Sequence, residues 1–265
     1  MPAVNPSRLR FQVEGVMHFF TSPVEFHQRL RGLFELYANR ALHFGDSAAF
    51  RPLIPMYHLP MPLMRQLEID IERNAKEEPE GALQLADDLW RDTFLEVKQT
   101  AILILAHTPI DSAGPVIDRL NAWIDDDLDA VLVAQLFASG TRQLQIHFPA
   151  AWEEYLSNHL QSDDPERLSL GIQGLIEGLK NPNFKNLPAV FRLISPMIRE
   201  PEPEIFRDLV QLIETLADLS ATETGFFLRQ MLSLSQSTET TRLIKQCLPF
   251  FPPEIQIDLK TMMQK

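Results

Sequence analysis

The most regular hydrophobic pattern of the chain lies between Leu83 and Ala106. Apolar residues of its first half share one side of a helix that is predicted to end near Trp90. After a polar break at 91–93, apolar residues recur at three- and four-residue steps from Phe94 onward, which is the period of an α-helix. Thr93 and Glu96 have the spacing of a capping box at the start of this second helix. The pattern predicts two antiparallel helices joined by a tight turn.

Such a pair cannot bury both of its apolar stripes alone, so it needs further pairs stacked beside it. Comparable helices are predicted along the chain, and many begin at Pro, Ser, Thr or Asp, as at Ser22-Pro23, Pro79, Pro149 and Asp164-Pro165. The 20 prolines therefore indicate helix starts. No strand alternation or βαβ rhythm is evident. We predict an all-α fold, a right-handed superhelical solenoid of HEAT-like (ARM-type) antiparallel helix pairs.

The domain organisation follows from the continuity of this pattern. We find no interdomain linker and no low-complexity tract, so residues 1–265 are predicted to form a single HEAT-like repeat domain. For residues 1–22 the sequence is consistent with two interpretations, a short packed helix and an N-terminal arm. Gly171, Gly174 and Gly178 fall inside a predicted helix, where close helix packing explains them better than phosphate binding, which needs a loop before a helix.

The amino-acid composition indicates which cellular compartment to expect for the protein. The chain has one cysteine, Cys247, which excludes an intramolecular disulfide and is predicted to be a core residue. The N-terminus lacks the apolar segment of a signal peptide. No apolar run approaches the roughly 18 residues of a membrane span. We therefore expect a soluble, cytoplasmic protein without membrane contact, and a monomer.

The net charge of −12 is unevenly distributed. Residues 1–76 carry a net charge of +2, residues 77–130 carry −10, and residues 131–265 carry −4. Nucleic-acid-binding proteins usually present a basic surface. The overall acidity therefore counts against DNA as the default partner, although positive charge confined to a cleft could still bind it.

The densest polar cluster is Asp125-Asp126-Asp127-Leu128-Asp129. It is interpreted first as an acidic helix start in which Asp126 or Asp127 is the N-cap. A carboxylate that lines a site for a cationic substrate and a weak divalent-metal site are the other interpretations. The cluster lacks the central Gly and distal Glu of a calcium loop. We predict no bound metal and no cofactor, and motifs for nucleotide, zinc or serine-hydrolase chemistry are absent from the sequence.

Three segments of the chain resemble one known family. They are 85–105 (LADDLWRDTFLEVKQTAILIL), 61–71 (MPLMRQLEIDI) and 147–172 (HFPAAWEEYLSNHLQSDDPERLSLGI). They resemble, respectively, the leucine-tryptophan helix with its glutamate-bearing successor, the proline-then-arginine segment and the later helices of the AlkD-type DNA alkylation repair glycosylases. The resemblance covers about residues 25–235. It implies HEAT-like repeats that wrap DNA in a concave cleft and excise positively charged alkylated purines.

The resemblance also implies a set of site residues. Trp123 and Asp127 have the spacing of the family's sugar-stacking tryptophan and its catalytic aspartate, which stabilises the positive charge on the sugar as the base leaves. In an alternative register Asp129 is the aspartate, and Asp125 stands at the tryptophan position. Arg167 matches the family's phosphate-contacting arginine. The family's second tryptophan has no counterpart, because the helix predicted over 205–218 carries Leu209, Gln211 or Leu212 there.

Two functions are consistent with these residues. The first is a divergent solenoid with lost or altered catalysis that binds a macromolecule along its concave face, and acidity favours a protein over DNA. The alternative is an active DNA glycosylase that uses Asp127 or Asp129. That function requires cations such as Arg65, Lys98 and Arg167 on one concave face around the aspartate. A small-molecule or metal site at the Asp cluster is a weaker third interpretation.

Overall fold

Helices account for all the regular secondary structure that the computed structural model describes, which covers residues 6–39, 54–125, 128–181, 186–235 and 237–264. The prediction of an all-α fold is confirmed. The helices in these ranges are α1 Pro6–Met17, α2 Pro23–Tyr37, α3 Met61–Glu77, α4 Pro79–Trp90, α5 Leu95–His107, α6 Gly114–Trp123, α7 Ala130–Gln135, α8 Arg142–His147, α9 Pro149–Leu160, α10 Pro165–Leu179, α11 Leu187–Arg199, α12 Phe206–Leu234, α13 Thr238–Cys247 and α14 Pro253–Met262. A π-helical turn at Leu136–Gly140 and a 3₁₀ turn at Leu248–Phe250 complete them.

The chain divides into two compact units, Met1–Pro149 and Ala150–Lys265, which we call the N-terminal and C-terminal units. In the N-terminal unit α4 and α5 pack against each other extensively, and α3 and α7 also pack on α5. The helix pair predicted between Leu83 and Ala106 is thus confirmed, with its break at residues 91–94. Because α5 is contacted from several directions, its residues are buried around most of its circumference.

The first twenty residues contain α1, which packs against α2 and α3. Leu9, Val13, Val16 and Met17 are its buried residues. Residues 6–17 are therefore part of the N-terminal unit's core.

Most helices begin where the sequence predicts. Proline occupies the first turn of α2, α4, α9 and α10, where its missing N–H has no intrahelical partner to lose. Asp164 caps α10 as predicted, because its carboxylate accepts a hydrogen bond from the N–H of Glu166. Ser22 precedes α2 but makes no such bond through its side chain.

Two capping predictions are wrong. The N-cap residue of α5 is Phe94, and Glu96 accepts hydrogen bonds from the backbone of a distant segment, so no Thr93–Glu96 capping box forms. The helix after the Asp cluster is capped by Asp129 and not by Asp126 or Asp127. Every aspartate of that cluster is a competent cap, and the local sequence could not choose among them.

In the C-terminal unit α12 is the central helix, contacted by α10, α11, α13 and α14. Non-helical backbone at Ser220 divides α12 into two helical segments. Cys247 is fully buried, as predicted, and burial raises the pKa of its thiol to about 12. Gly171 confirms the prediction of close packing, since an added Cβ would lie 2.9 Å from the side chain of Leu160.

Within the described ranges, no helix has both the length and the apolar character required to cross a lipid bilayer.

Candidate functional site

Two of the predicted site residues, Trp123 and Lys98, meet at a third residue, Trp90. The rings of Trp90 and Trp123 stack with centroids 4.6 Å apart and planes 10° apart. The ammonium nitrogen of Lys98 lies 4.4 Å from the centroid of the Trp90 ring and donates a hydrogen bond of 2.5 Å to the Trp90 carbonyl oxygen. We call these three residues the tryptophan cluster. Helices α4, α5 and α6 each supply one of them.

Burial and charge act in opposite directions on Lys98. Desolvation lowers the pKa of its ammonium below the ordinary value, while the carboxylates of Asp125 and Asp92 partly offset that effect. The cation also faces the C-terminal end of α4, where unpaired carbonyl groups favour positive charge. Lys98 is therefore held in place by a carbonyl group and an aromatic ring. Within the described ranges, it forms no ion pair with a carboxylate.

An ion pair fixes the outer side of the tryptophan cluster. The indole N–H of Trp123 donates to Asp87 at 3.2 Å, and Arg119 donates to the other carboxylate oxygen of Asp87 at 2.5 Å. Arg119 also donates to the carbonyl oxygens of Pro115 and Leu83. The bonds to Asp87 and Leu83 tie α6 to α4. Trp123 is consequently 4% exposed, with its ring covered on one face by Trp90 and its nitrogen already bonded.

A second polar cluster joins α2 to the α4–α5 turn. The imidazole of His27 lies 2.6 Å from Asp92 through Nε2 and 3.3 Å from Asp88 through Nδ1. Asp92 is buried and also lies 3.5 Å from the guanidinium of Arg31. Its other oxygen accepts a hydrogen bond from the N–H of Phe94 at 2.8 Å, which fixes the turn. No motif in the sequence links His27 with Asp88 and Asp92, so sequence reasoning misses this cluster.

Glu96 also has a role that the sequence did not reveal. It is 4% exposed, and its two carboxylate oxygens accept hydrogen bonds from the backbone N–H groups of Tyr57 at 2.9 Å and His58 at 2.7 Å. His58 has a positive φ of 56°, which is uncommon for a residue with a side chain. The Tyr57 ring stacks on Phe94 with centroids 4.3 Å apart. Glu96 thus anchors the segment that precedes α3.

The candidate catalytic aspartates are placed differently. Asp127 lies outside the described residues. Asp129 is the N-cap of α7, and its carboxylate accepts a hydrogen bond of 2.9 Å from the N–H of Val131. This bond satisfies one N–H of the first helical turn.

The two remaining candidates are arginines at separate positions. Arg65 is exposed on α3 in the N-terminal unit. Arg167 is exposed on α10 in the C-terminal unit, and its charge acts on Tyr155 and His159 of α9. The structure therefore brings Trp123 and Lys98 together at Trp90.

Three residues of α9 form an aromatic ladder on which the charge of Arg167 acts. Trp152 and Tyr155 stack with centroids 5.8 Å apart, and Tyr155 meets His159 edge to face at 4.7 Å. Burial raises the pKa of the Tyr155 hydroxyl to about 12. Burial, with a smaller effect of Arg167, lowers the pKa of the His159 imidazole. The Nδ1 atom of His159 is buried and has no hydrogen-bond partner among the described residues.

The described residues contain no group of three or more His, Cys, Asp or Glu side chains placed to hold a metal ion.

Comparison with known proteins identifies the family. The family model described as DNA alkylation repair enzyme matches residues 34–217, which is more than two-thirds of the chain and includes all the site residues predicted from the sequence. Searches of curated proteins and of solved structures gave no match. The chain therefore belongs to the DNA alkylation repair enzyme family.

Proposed function

We propose that this protein is a divergent member of its family that binds duplex DNA and in which base excision is lost or altered. Family membership supports DNA as the macromolecule, in preference to the protein partner favoured by the acidic composition. The proposed binding surface is the concave face of a right-handed HEAT-like solenoid, and we expect the protein to act as a monomer in the cytoplasm. The packing of α4 against α5 across a short turn is consistent with such repeats.

The observation that carries this proposal is the burial of Trp123. A tryptophan that stacks on a deoxyribose must present a free ring face. Trp123 is 4% exposed, stacked on Trp90 and bonded to Asp87. Asp129, in the alternative register, caps α7. Both residues thus have structural roles, which supports altered chemistry at this position.

Because the chain has a net charge of −12, DNA binding requires positive charge to be concentrated at the binding surface. We propose that Arg65 and Lys98 in the N-terminal unit and Arg167 in the C-terminal unit supply phosphate contacts. Arg65 and Arg167 are exposed, as a phosphate contact requires. Each such contact should contribute to the salt dependence of binding, since bound phosphates release their counterions.

The experiment that tests the proposal uses one alkylated duplex for two measurements, binding and release of the modified base. We expect the wild-type protein to bind a duplex that contains 7-methylguanine and to release no base above the rate of the protein-free duplex. Release that is lost in Asp127→Asn or Asp129→Asn would overturn the proposal in favour of an active glycosylase. Failure to bind would overturn it in favour of a protein partner.

Matched arginine variants test the contacts. Arg65→Gln and Arg167→Gln should each weaken duplex binding and lower the salt slope by about one. Arg242→Gln is the control, because Arg242 is exposed and lies outside the segment matched by the family. Equal binding by all three variants would remove these two arginines from the proposed interface.

A further inference from the structure

We propose that the outer face of α1, together with the start of α2, binds single-stranded DNA, and that Phe11 stacks on an unpaired base. This surface lies outside residues 34–217, so the family match assigns no role to it. The inference goes beyond the proposed duplex binding at the concave face and does not depend on it. We call this surface, which comprises Arg8, Phe11, Gly15, His18, Phe19 and Arg29, the α1 surface.

The exposed residues of α1 form one continuous stripe. They follow one another at steps of three and four residues, so they share one side of the helix: Arg8, Phe11, Gly15 and His18. The N–H of His18 donates to the carbonyl oxygen of Glu14 at 3.1 Å, which continues the helical geometry to the end of the stripe. The buried residues of α1 pack into the N-terminal unit, so the stripe faces solvent.

Phe11 supplies the first stacking position. Its side chain is 75% exposed, the largest fraction among the exposed large hydrophobic residues of the described ranges. Among the described residues, nothing lies within 4 Å of a Cβ added at Gly15, one turn away, so there is room for a sugar-phosphate backbone beside the ring. Every base has a face that can stack on such a ring, but the bases inside a duplex are already stacked on each other. The exposed ring therefore favours a single strand.

A second aromatic position lies about 10 Å further along the helix axis, at the end of the stripe. The rings of His18 and Phe19 meet edge to face with centroids 5.2 Å apart. The guanidinium carbon of Arg29, on α2, lies 5.1 Å from the centroid of the Phe19 ring. The α1 surface thus offers two aromatic positions, and a cation lies beside the second one.

The charge of the α1 surface is complementary to a phosphate backbone. Arg8 and Arg29 are exposed, and Arg29 forms no ion pair with any carboxylate of the described residues. The carboxylate of Glu14 lies 3.0 Å from Arg10, which neutralises it. Exposed aromatic rings combined with positive charge are the features that bind single-stranded nucleic acid without sequence preference.

A similar pair in the C-terminal unit lacks this charge. Phe226 is 60% exposed, and the guanidinium carbon of Arg229 lies 5.1 Å from its ring centroid. However, Arg229 is paired with Asp258 at 3.1 Å, so the cation is neutralised. Phe226 is therefore a matched control for Phe11.

A membrane surface fits the α1 surface less well than DNA does. A helix that lies in a membrane interface inserts a complete apolar face. The apolar face of α1 is instead buried in the N-terminal unit, and Phe11 is the one large apolar residue on its exposed stripe. Insertion of a single ring gives little binding energy, whereas stacking of the same ring on a base is specific to nucleic acid.

Fluorescence anisotropy with a labelled oligothymidylate of about 20 nucleotides tests the proposal, because this strand exceeds typical single-strand binding sites in length. At about 50 mM salt we expect the full-length protein to bind it. Phe11→Ala should weaken binding by about 5- to 150-fold, the range for loss of one base–aromatic stack. Phe11→Trp keeps a ring and should bind at least as tightly as the wild type. Phe226→Ala should bind as the wild type does.

Two charge variants test the phosphate contacts. Arg29→Gln should lower the salt slope of oligothymidylate binding by about 0.7, the value for one phosphate contact to a single strand. Glu25→Gln removes an exposed carboxylate one helical turn before Arg29 and should strengthen binding.

Oligothymidylate binding that is absent in the wild type, or equal in the wild type and Phe11→Ala, would overturn the proposal. Cosedimentation with phosphatidylserine vesicles and sedimentation velocity test the other occupants, a membrane and a second copy of the chain. If either interaction depends on Phe11 while oligothymidylate binding does not, the surface belongs to that occupant instead. The duplex titrations with Arg65→Gln and Arg167→Gln report the concave face separately, so either proposal can fail without the other.

Discussion

The two units each build an aromatic cluster beside a cation, but they satisfy its polar groups in different ways. In the N-terminal unit, the Trp123 N–H is bonded to Asp87, which is in turn paired with Arg119. In the C-terminal unit, no described residue forms a hydrogen bond with the buried His159 Nδ1, and burial shifts the pKa values of both Tyr155 and His159. Charged partners thus satisfy the polar groups of the first cluster, whereas desolvation dominates the environment of His159 in the second.

This difference has a physical consequence for each unit. A polar atom with a charged partner resists displacement because breaking the pair leaves a buried charge. A desolvated imidazole such as that of His159 instead favours its neutral form, so the stability of the folded state depends on pH. We therefore expect loss of contacts in the N-terminal cluster to lower the stability of the protein. In the C-terminal ladder, we expect crowding and protonation to lower it.

The largest expected effect is on the N-terminal cluster. Trp123→Ala removes a buried ring and leaves Asp87 without one of its donors, so it should lower the free energy of unfolding by about 3–5 kcal/mol. Urea unfolding followed by circular dichroism measures this loss. Trp123→Phe, which keeps a ring on Trp90, should cost less. A loss below about 1 kcal/mol for Trp123→Ala would show that the stack contributes little to stability.

A smaller effect is expected from crowding the C-terminal ladder. The Cβ atom in Gly171→Ala would lie 2.9 Å from Leu160 and 3.0 Å from the Cβ of His159, so either side chain has to move. We expect a destabilisation of about 1–3 kcal/mol in urea unfolding. Gly32→Ala is the matched control, because nothing lies within 4 Å of an added Cβ there. It should be neutral or stabilise by up to about 1 kcal/mol. Equal stability of the two variants would contradict the tight packing.

The smallest effect concerns the pH dependence of the C-terminal unit. The folded protein lowers the pKa of His159, so below the ordinary value of 6.5 the unfolded chain binds a proton that the folded chain resists. Stability contributed by neutral His159 is therefore present above that value and is lost as the pH falls below it. Thermal unfolding at pH 7 and pH 5 should show a smaller decrease in His159→Phe than in the wild type. An identical decrease would contradict a desolvated imidazole.

The sequence predicts local structure well where a single residue type decides it. Proline at the first turn of α2, α4 and α10 marks the helix starts, because its fixed φ suits that position. The requirement for a residue without a side chain at Gly171 is likewise readable from its place in an apolar helix.

Long-range partners could not be predicted in the same way. Glu96 bonds to the backbone 38 and 39 residues away, and Trp123 bonds to Asp87 36 residues away. No local periodicity encodes such contacts. The spacing from Thr93 therefore predicts a capping box for Glu96, and the family resemblance implies a DNA-stacking role for Trp123. The position of Glu96 in an apolar helix is the one signal in the sequence, since a buried carboxylate needs hydrogen-bond donors from another segment.

The most direct test of the central claim is a titration of a fluorescent DNA duplex with the wild-type protein at several salt concentrations. We expect binding at about 50 mM salt that weakens linearly on a logarithmic scale as salt increases, as phosphate contacts require. An abasic-site analogue in the duplex should bind at least as tightly as the intact duplex. Absence of binding at tens of micromolar protein (well above the range expected for a specific complex) would contradict the account.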